Sequence, residues 1–295
     1  MKVPANLRVG VCSHAGLVRA GNEDDYLLAA GGPGGPFLGA IADGMGGLAG
    51  GAEASRTALR ALGQCVLDGS SRASLADRMR EGFAAASERV LAASREVPTL
   101  RDMGTTMTAL CLADGALAIG HVGDTRAYRR RGGALTVLTE DHAVRQPDNL
   151  LTRCIGAGQA TVEADLQTVD VAVGDRFLLV SDGVWGVLPR AQLARLCEHE
   201  SAQAVAESLV AEALLLGGPD NATVVVIDVL STEAASSAEV DLPRDERPDD
   251  RRLWPRAQSL RPPLWPWFVL LLAAALLVRA GLRAWFGAGA GGAWF

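Results

Sequence analysis

Six acidic residues occupy the ends of apolar, strand-like runs. Asp43 follows FLGAIA and is followed in turn by Gly44, Met45, Gly46 and Gly47. Asp124 follows LAIGHVG, Asp182 follows RFLLVS, Asp220 stands just before NATVVVIDV, and Glu23 and Asp24 lead into DYLLAA. Such acids read in two ways. Each could be a turn residue solvated on its own, since Asp-Gly is a common turn pair. Alternatively, the strands could bring them to one end of a sandwich. Two carboxylates 4 Å apart repel by about 4 kcal/mol at an effective dielectric near 20, so a converging cluster needs cations. Oxygen ligands with no His or Cys among them suit magnesium or manganese rather than zinc.

The elements that would position these acids are legible in the periodicity. TMTALCLADGALAIGHVGD is two apolar runs joined by Asp114-Gly115, a hairpin signal, and RAYRRRGGALTVL turns again at Gly132-Gly133. DRFLLVSDG and NATVVVIDV read as further buried strands. GAEASRTALRALGQCVL and SLADRMREGFAAASERVLAAS keep small and aliphatic residues on one helical face. A third helix, AQAVAESLVAEALLL, is ended by Gly217-Gly218-Pro219. Consecutive hairpins with long helices set apart predict an α+β layered architecture with antiparallel sheet, not alternating βαβ units.

The chain has 295 residues, 49% hydrophobic and 21% charged, with a formal net charge of −6, so no global basic field invites nucleic acid. Cys12, Cys65, Cys111, Cys154 and Cys197 form no C-x-x-C pair and read as small buried hydrophobes rather than a disulfide framework or a zinc site. The N-terminal MKVPANLRVGVCSHAG has no apolar signal-peptide core, which predicts a cytoplasmic first domain.

Composition changes beyond residue 230. Residues 231–263 are charged and Pro-rich and read as a disordered tether. LWPWFVLLLAAALLVRAGLRAWF, residues 264–286, follows, with a short tail at 287–295. The uncharged stretch Pro262–Val278 would rise only about 25 Å as a helix. The 23 residues to Phe286 suffice to span if Arg279 and Arg283 snorkel, with Trp265, Trp267, Trp285 and Phe286 as interfacial anchors. A helix lying on the membrane surface, or a core helix, is the alternative. Arg251, Arg252, Arg256 and Arg261 precede the segment, so the charge bias keeps the N-terminal side cytoplasmic. The expectation is a single-pass inner-membrane protein with its first domain, residues 1–230, in the cytoplasm.

VRAGNEDDYLL, IADGMGGLAGGAEAS, GTTMTALCL, HVGDTRAYRRRGGALTVLTEDH, LTRCIGA, GDRFLLVSDGVWGVL and GGPDNATVVVIDV occur in that order. Over roughly Arg8–Leu230 the chain resembles the type 2C protein serine/threonine phosphatases, the metal-dependent phosphatase family, in its bacterial form. The resemblance implies a sandwich of two antiparallel β-sheets flanked by antiparallel helix pairs, with manganese or magnesium at one end: two ions and a weaker third. It implies that Asp43 bridges two ions, that the Gly44 carbonyl is also a ligand, and that Asp182 and Asp220 complete the first metal. Glu23 and Asp24 would serve the second, partly through water, and Asp124 with Asp182 the third. Arg19 would grip the substrate phosphate. The implied reaction is hydrolysis of phosphoserine or phosphothreonine on proteins by a metal-activated water, opposing a Ser/Thr kinase at the membrane.

Two departures stand out. Met45 occupies the place where some family members carry a histidine proposed to protonate the leaving group, which leaves a metal-bound water or the leaving group's own pKa to set the rate. His121 and His142 are near in sequence and read as packed or surface residues. Only residues 143–149 separate His142 from LLTRCIGA, where bacterial members insert a flap, so the site is expected to be open. Arg129-Arg130-Arg131 reads as a solvated hairpin or as a surface for acidic partners. A pseudophosphatase scaffold and a hydrolase of small phosphate esters are the competing readings.

Overall fold

Strands with runs of consecutive apolar residues, rather than alternation, are buried on both faces. The Arg176–Val180 and Ala222–Val229 strands obey this. Phe177, Leu179, Val225 and Ile227 point between two sheets, while Leu178, Val180, Val224 and Val226 point outward onto helices. The period-2 alternation of side chains therefore serves two separate cores. This holds in a computed structural model that describes residues 2–239, apart from 33, 48–49, 69–72, 114, 145–149, 160–161 and 233–236.

One five-stranded sheet runs, in spatial order, Ala134–Val137, Arg126–Arg131, Arg176–Val180, Ala222–Val229 and Leu7–His14. The other runs Asp165–Asp170, Ala116–Val122, Met107–Ala113, Phe37–Ala42 and Asp25–Ala30. Every pairing in both is antiparallel. Both expected hairpins form, with Met107 opposite Val122 and Ala134 opposite Arg131.

Helices α1 (Gly50–Asp68) and α2 (Leu75–Glu96) pair on the outside of the second sheet. Ser74 caps α2 by accepting the Asp77 N–H at 3.1 Å. Phe83, Met79, Leu62 and Val66 pack with Met107, Ala109 and Cys111. Phe83 seats over Gly120, where a side chain would run into its ring. On the other face lie α3 (Asp182–Trp185), α4 (Arg190–Leu196) and α5 (Ala202–Leu215). The expected stop of α5 is a Schellman-type end: Gly218 N–H donates to the Ala213 carbonyl, with Gly217 and Gly218 at φ 112° and 47°.

The expected end of the first domain at 230 needs correction. Ser237–Glu239, inside the stretch read as tether, pairs antiparallel with Lys2–Pro4. Backbone N–H and C=O groups pair whatever the side chains, so a segment poor in large aliphatics can still add a short strand. The chain divides between Asp245 and Glu246, and all described residues belong to the first unit. The rest of the tether, the 264–286 segment and the 287–295 tail lie outside the described residues, among which no helix is long and apolar enough to cross a membrane. None of the five cysteines forms a disulfide; Cys111, Cys154 and Cys197 are buried as expected, whereas Cys12 and Cys65 are only half-buried.

Phe83 is fully enclosed where both helices meet the sheet, so Phe83→Ala should destabilise the domain by about 3–5 kcal/mol. Urea unfolding followed by circular dichroism checks this; a loss below about 1 kcal/mol would mean that the helix pair can collapse onto the sheet without it.

Candidate metal centre

The strand ends do converge. Asp43, at the end of Phe37–Ala42, is held on both sides by the Gly104-Thr105-Thr106 segment. Its N–H donates to Thr106 Oγ1 at 3.1 Å, and its carbonyl accepts from Thr106 N–H and Thr105 Oγ1, both at 2.9 Å. Ser55 on α1 donates to the Glu23 carbonyl at 2.8 Å, and so does Gly44 N–H at 3.2 Å. Gly44 is wedged so tightly that a Cβ would collide with the backbone of Gly51 and Glu23. Gly46 and Gly47, at φ 115° and 80°, then turn the chain toward α1. Asp182 opens α3 directly after its strand.

Asn221 ties the acids of the N-terminal loop to the strand that follows Asp220. Its Oδ1 accepts the Glu23 N–H at 2.8 Å, and its Nδ2 donates to the carbonyls of Ala15 and Gly21 at 2.8 and 2.9 Å. Gly16 rests against the Asp220 backbone with no room for a side chain. Arg19, from the same loop, donates Nη2–H to Asp220 Oδ2 at 2.6 Å, with its side chain 56% exposed.

Burial is the dominant force on these acids. Asp24 is 7% exposed, and neither carboxylate oxygen has a hydrogen-bond partner. The Ser181 and Thr223 hydroxyls face it but spend their bonds on the Asn221 and Thr223 carbonyls and on Ser13. Burial, with the charges of Asp182 and Asp220, pushes the Asp24 carboxyl up to about 7. Asp124 likewise rises to about 7 through burial and the charge of Asp182. Asp43 is raised well above the ordinary carboxylate range by burial and by the charges of Asp24, Asp182 and Asp124. Asp182 is raised by burial and by Asp220, and its Oδ1 is buried without a partner. Burial also lifts Glu23, against the pull of Arg19.

All six sequence-identified acids thus feel one another's charge or share Arg19. Among the described residues, no three Asp, Glu, His or Cys side chains are gathered tightly enough to grip one ion as they stand. Arg19 pairs with Asp220 at 2.6 Å. The donor set nonetheless fits hard divalent cations. It is all oxygen, and three of those oxygens (both of Asp24, one of Asp182) are buried with nothing to bond.

The sequence reading missed the residues that hold the backbone: Thr105, Thr106, Ser55, Asn221 and Trp185. Trp185 Nε1–H donates to the Asp124 carbonyl at 3.0 Å, and the Arg126 guanidinium lies 3.5 Å over its ring. Their presence inside the quoted motif blocks was the available signal. Two arginines of the 129–131 run are paired: Arg131 with Asp175 and Asp170 at 2.6 and 2.5 Å, and Arg129 with Asp170 at 3.5 Å. His121 and His142 are both buried, settling the packed-or-surface question, and the short flap is a pairing of Ala143–Val144 with Leu150–Leu151.

Comparison with known proteins agrees with this geometry. Residues 16–214 match the family described as Protein phosphatase 2C. The chain is 33% identical over 246 residues to the serine/threonine protein phosphatase PstP of Mycobacterium tuberculosis, covering 78% of this chain but 46% of that protein, so it spans about half that relative's length. It is 27% identical over 234 residues to the serine/threonine phosphatase stp of Listeria welshimeri, covering 72% and 92% of the two chains. A crystal structure of the PstP catalytic domain in complex with two manganese ions superposes with a TM-score of 0.69 at 34% identity, covering 76% of this chain and 99% of that one.

The raised carboxyls have a consequence for stability. A group whose folded pKa lies above its unfolded value of 3.8 favours folding while both states are protonated and loses that contribution as pH rises toward the folded pKa. Asp24, Asp43 and Asp124 all act in this direction. His121, which burial lowers to about 4, opposes them below pH 6.5. In chelator, the melting temperature should therefore fall between pH 5.5 and 8, and added Mn²⁺ should flatten that slope. A rise over the same range without metal would show that the acids are not buried together.

Proposed function

Because the chain belongs to the protein phosphatase 2C family, we propose that it removes phosphate from phosphoserine and phosphothreonine in proteins, with manganese or magnesium held at the carboxylate end of the sandwich. The observation that carries this reading is the buried, unpartnered Asp24 carboxylate, close enough to Asp43 and Asp182 to feel their charge, with Asp182 Oδ1 also unpartnered. Asp43, the Gly44 carbonyl, Asp182 and Asp220 would hold one ion, and Glu23 and Asp24, with Asp43 shared, a second. Asp124 and Asp182 would hold a weaker third. A divalent ion, when bound, supplies a water acidic enough to attack phosphorus near neutral pH.

The chain's own groups do the rest. Arg19 is exposed, and Asp220 engages only its Nη2, which leaves the other donors of the fork for an incoming phosphate dianion. The fork can pair with two phosphate oxygens, orienting the ester. Met45 has no proton to give. Both nitrogens of His121 are bonded, to Thr108 Oγ1 and the Glu140 carbonyl, and those of His142 are bonded to Gly123 and Asp165. Neither imidazole is available to a departing serine oxygen.

We further propose that the segment 264–286 anchors the domain in the inner membrane by a single pass, with the phosphatase in the cytoplasm facing the substrates of a Ser/Thr kinase. The charge-poor apolar run and the arginines before it support this. Membrane fractionation of the full chain, with and without residues 264–286, tests it.

Asp43→Ala should reduce Mn²⁺-dependent hydrolysis of a phosphothreonine peptide to background while the far-UV spectrum stays native. Arg19→Ala should cost about 10–100-fold in kcat/KM, the worth of a charge-assisted hydrogen bond to phosphate, much of it in KM. Near-normal rates in Asp43→Ala would overturn the metal role. Hydrolysis of para-nitrophenyl phosphate without any phosphopeptide turnover would favour a small-ester substrate.

A further inference from the structure

His142 lies outside the carboxylate cluster, yet it makes four hydrogen bonds around one turn. Its N–H donates to the Gly123 carbonyl at 2.7 Å, and its Nδ1 accepts the Gly123 N–H at 3.1 Å. Both polar groups of the residue preceding Asp124 are therefore satisfied by this one histidine. Because Nδ1 accepts, the ring proton sits on Nε2 and is donated to Asp165 Oδ2 at 2.9 Å. The other oxygen of Asp165 takes Arg153 Nη1–H at 2.7 Å, and the His142 carbonyl accepts the Thr152 N–H at 2.8 Å. Both feet of the short flap, His142 and Arg153, thus close on a single carboxylate.

The turn they hold has little freedom of its own. Gly123 is at φ 105°, and a side chain there would strike Thr106, the residue that also grips Asp43. His121 stacks on His142 at 4.7 Å and bonds Thr108, which in turn reaches the Thr125 carbonyl at 3.0 Å on the far side of Asp124. Asp124 is bracketed by Gly123 and Thr125, and each is held by a buried imidazole, directly or through one hydroxyl.

We infer that His142 is a positioning residue for Asp124: by fixing both main-chain groups of Gly123 it aims the Asp124 carboxylate at the weaker third ion and couples that ion to the base of the flap. This rests on the metal reading above and adds a residue to it. Outer partners that orient a ligand typically change metal affinity by about 10–100-fold, and the effect here should fall on one ion alone.

Isothermal titration of the full chain with Mn²⁺ is the primary test, with amide hydrogen exchange at Gly123 as the second readout. His142→Ala should weaken the lowest-affinity Mn²⁺ event by about tenfold or more, leave the tighter events unchanged and lose protection at Gly123. His142→Asn places an amide oxygen where Nδ1 stood but cannot reach Asp165; it should restore both Gly123 protection and most of the weak binding. If His142→Ala does not fold, His142→Gln, which favours the Asp165 contact over the Gly123 one, replaces it with the same expectation of loss. The inference is overturned if the alanine variant binds Mn²⁺ as wild type does, if all events weaken together, or if the asparagine variant is no better than alanine. Wild-type protein that takes up no Mn²⁺ would sink the metal reading itself, a result separable from the other three.

Discussion

Carboxylates crowded into a low-dielectric end of a β-sandwich are the constraint to which the rest of this molecule answers. Burial alone raises the proton affinity of Asp24, Asp43, Asp124 and Asp182, and their mutual charge raises it further. Two features lessen the repulsion: the Asp43 carboxyl is held well above the ordinary range, and Arg19 pairs with Asp220. Neither is a low-energy solution for Asp24, whose oxygens bond nothing. Burying such groups without partners is costly to the fold, and hard divalent cations are the partners whose chemistry suits them.

Holding like charges together requires a frame that does not yield. The two sheets supply it through three separate cores, one between the sheets and one beneath each helical layer. At the site, the frame is mostly backbone. Thr105 and Thr106 clamp Asp43, Asn221 gathers the loop carrying Arg19 and Glu23, and glycines at 16, 44 and 123 let chains approach where no side chain fits. Side chains hold main chain, and main chain aims the carboxylates. This explains why the motif blocks are longer than their acids.

Arg19 has a double part in this scheme. In the structure it is the counter-ion of Asp220, and in the proposed reaction it is the receptor for phosphate. Asp220 engages only Nη2 of the guanidinium, which leaves the other donors of the fork for a phosphate. The short flap adds a link on the opposite side, where Asp165 secures both its feet and His142 joins it to the Asp124 turn.

By itself the sequence determined the strand and helix pattern, because buried strands need uninterrupted apolar residues and amphipathic helices need a 3.6-residue period. It also marked the six acids, because each stands at the end of an apolar run, while Arg19 came only from the resemblance of the ordered blocks to the phosphatase family. Only the tertiary structure decided who partners whom. Arg19 and Asp220 are 201 residues apart, and Thr106 meets both Asp43 and Gly123 across two strands. The buried pairing of His121 with His142, the Asp165 anchor and the strand Ser237–Glu239 were equally illegible. Local periodicity records which face of an element is dry. It carries no record of which distant hydrogen-bonding group will stand opposite a given donor, since that follows from how whole layers pack.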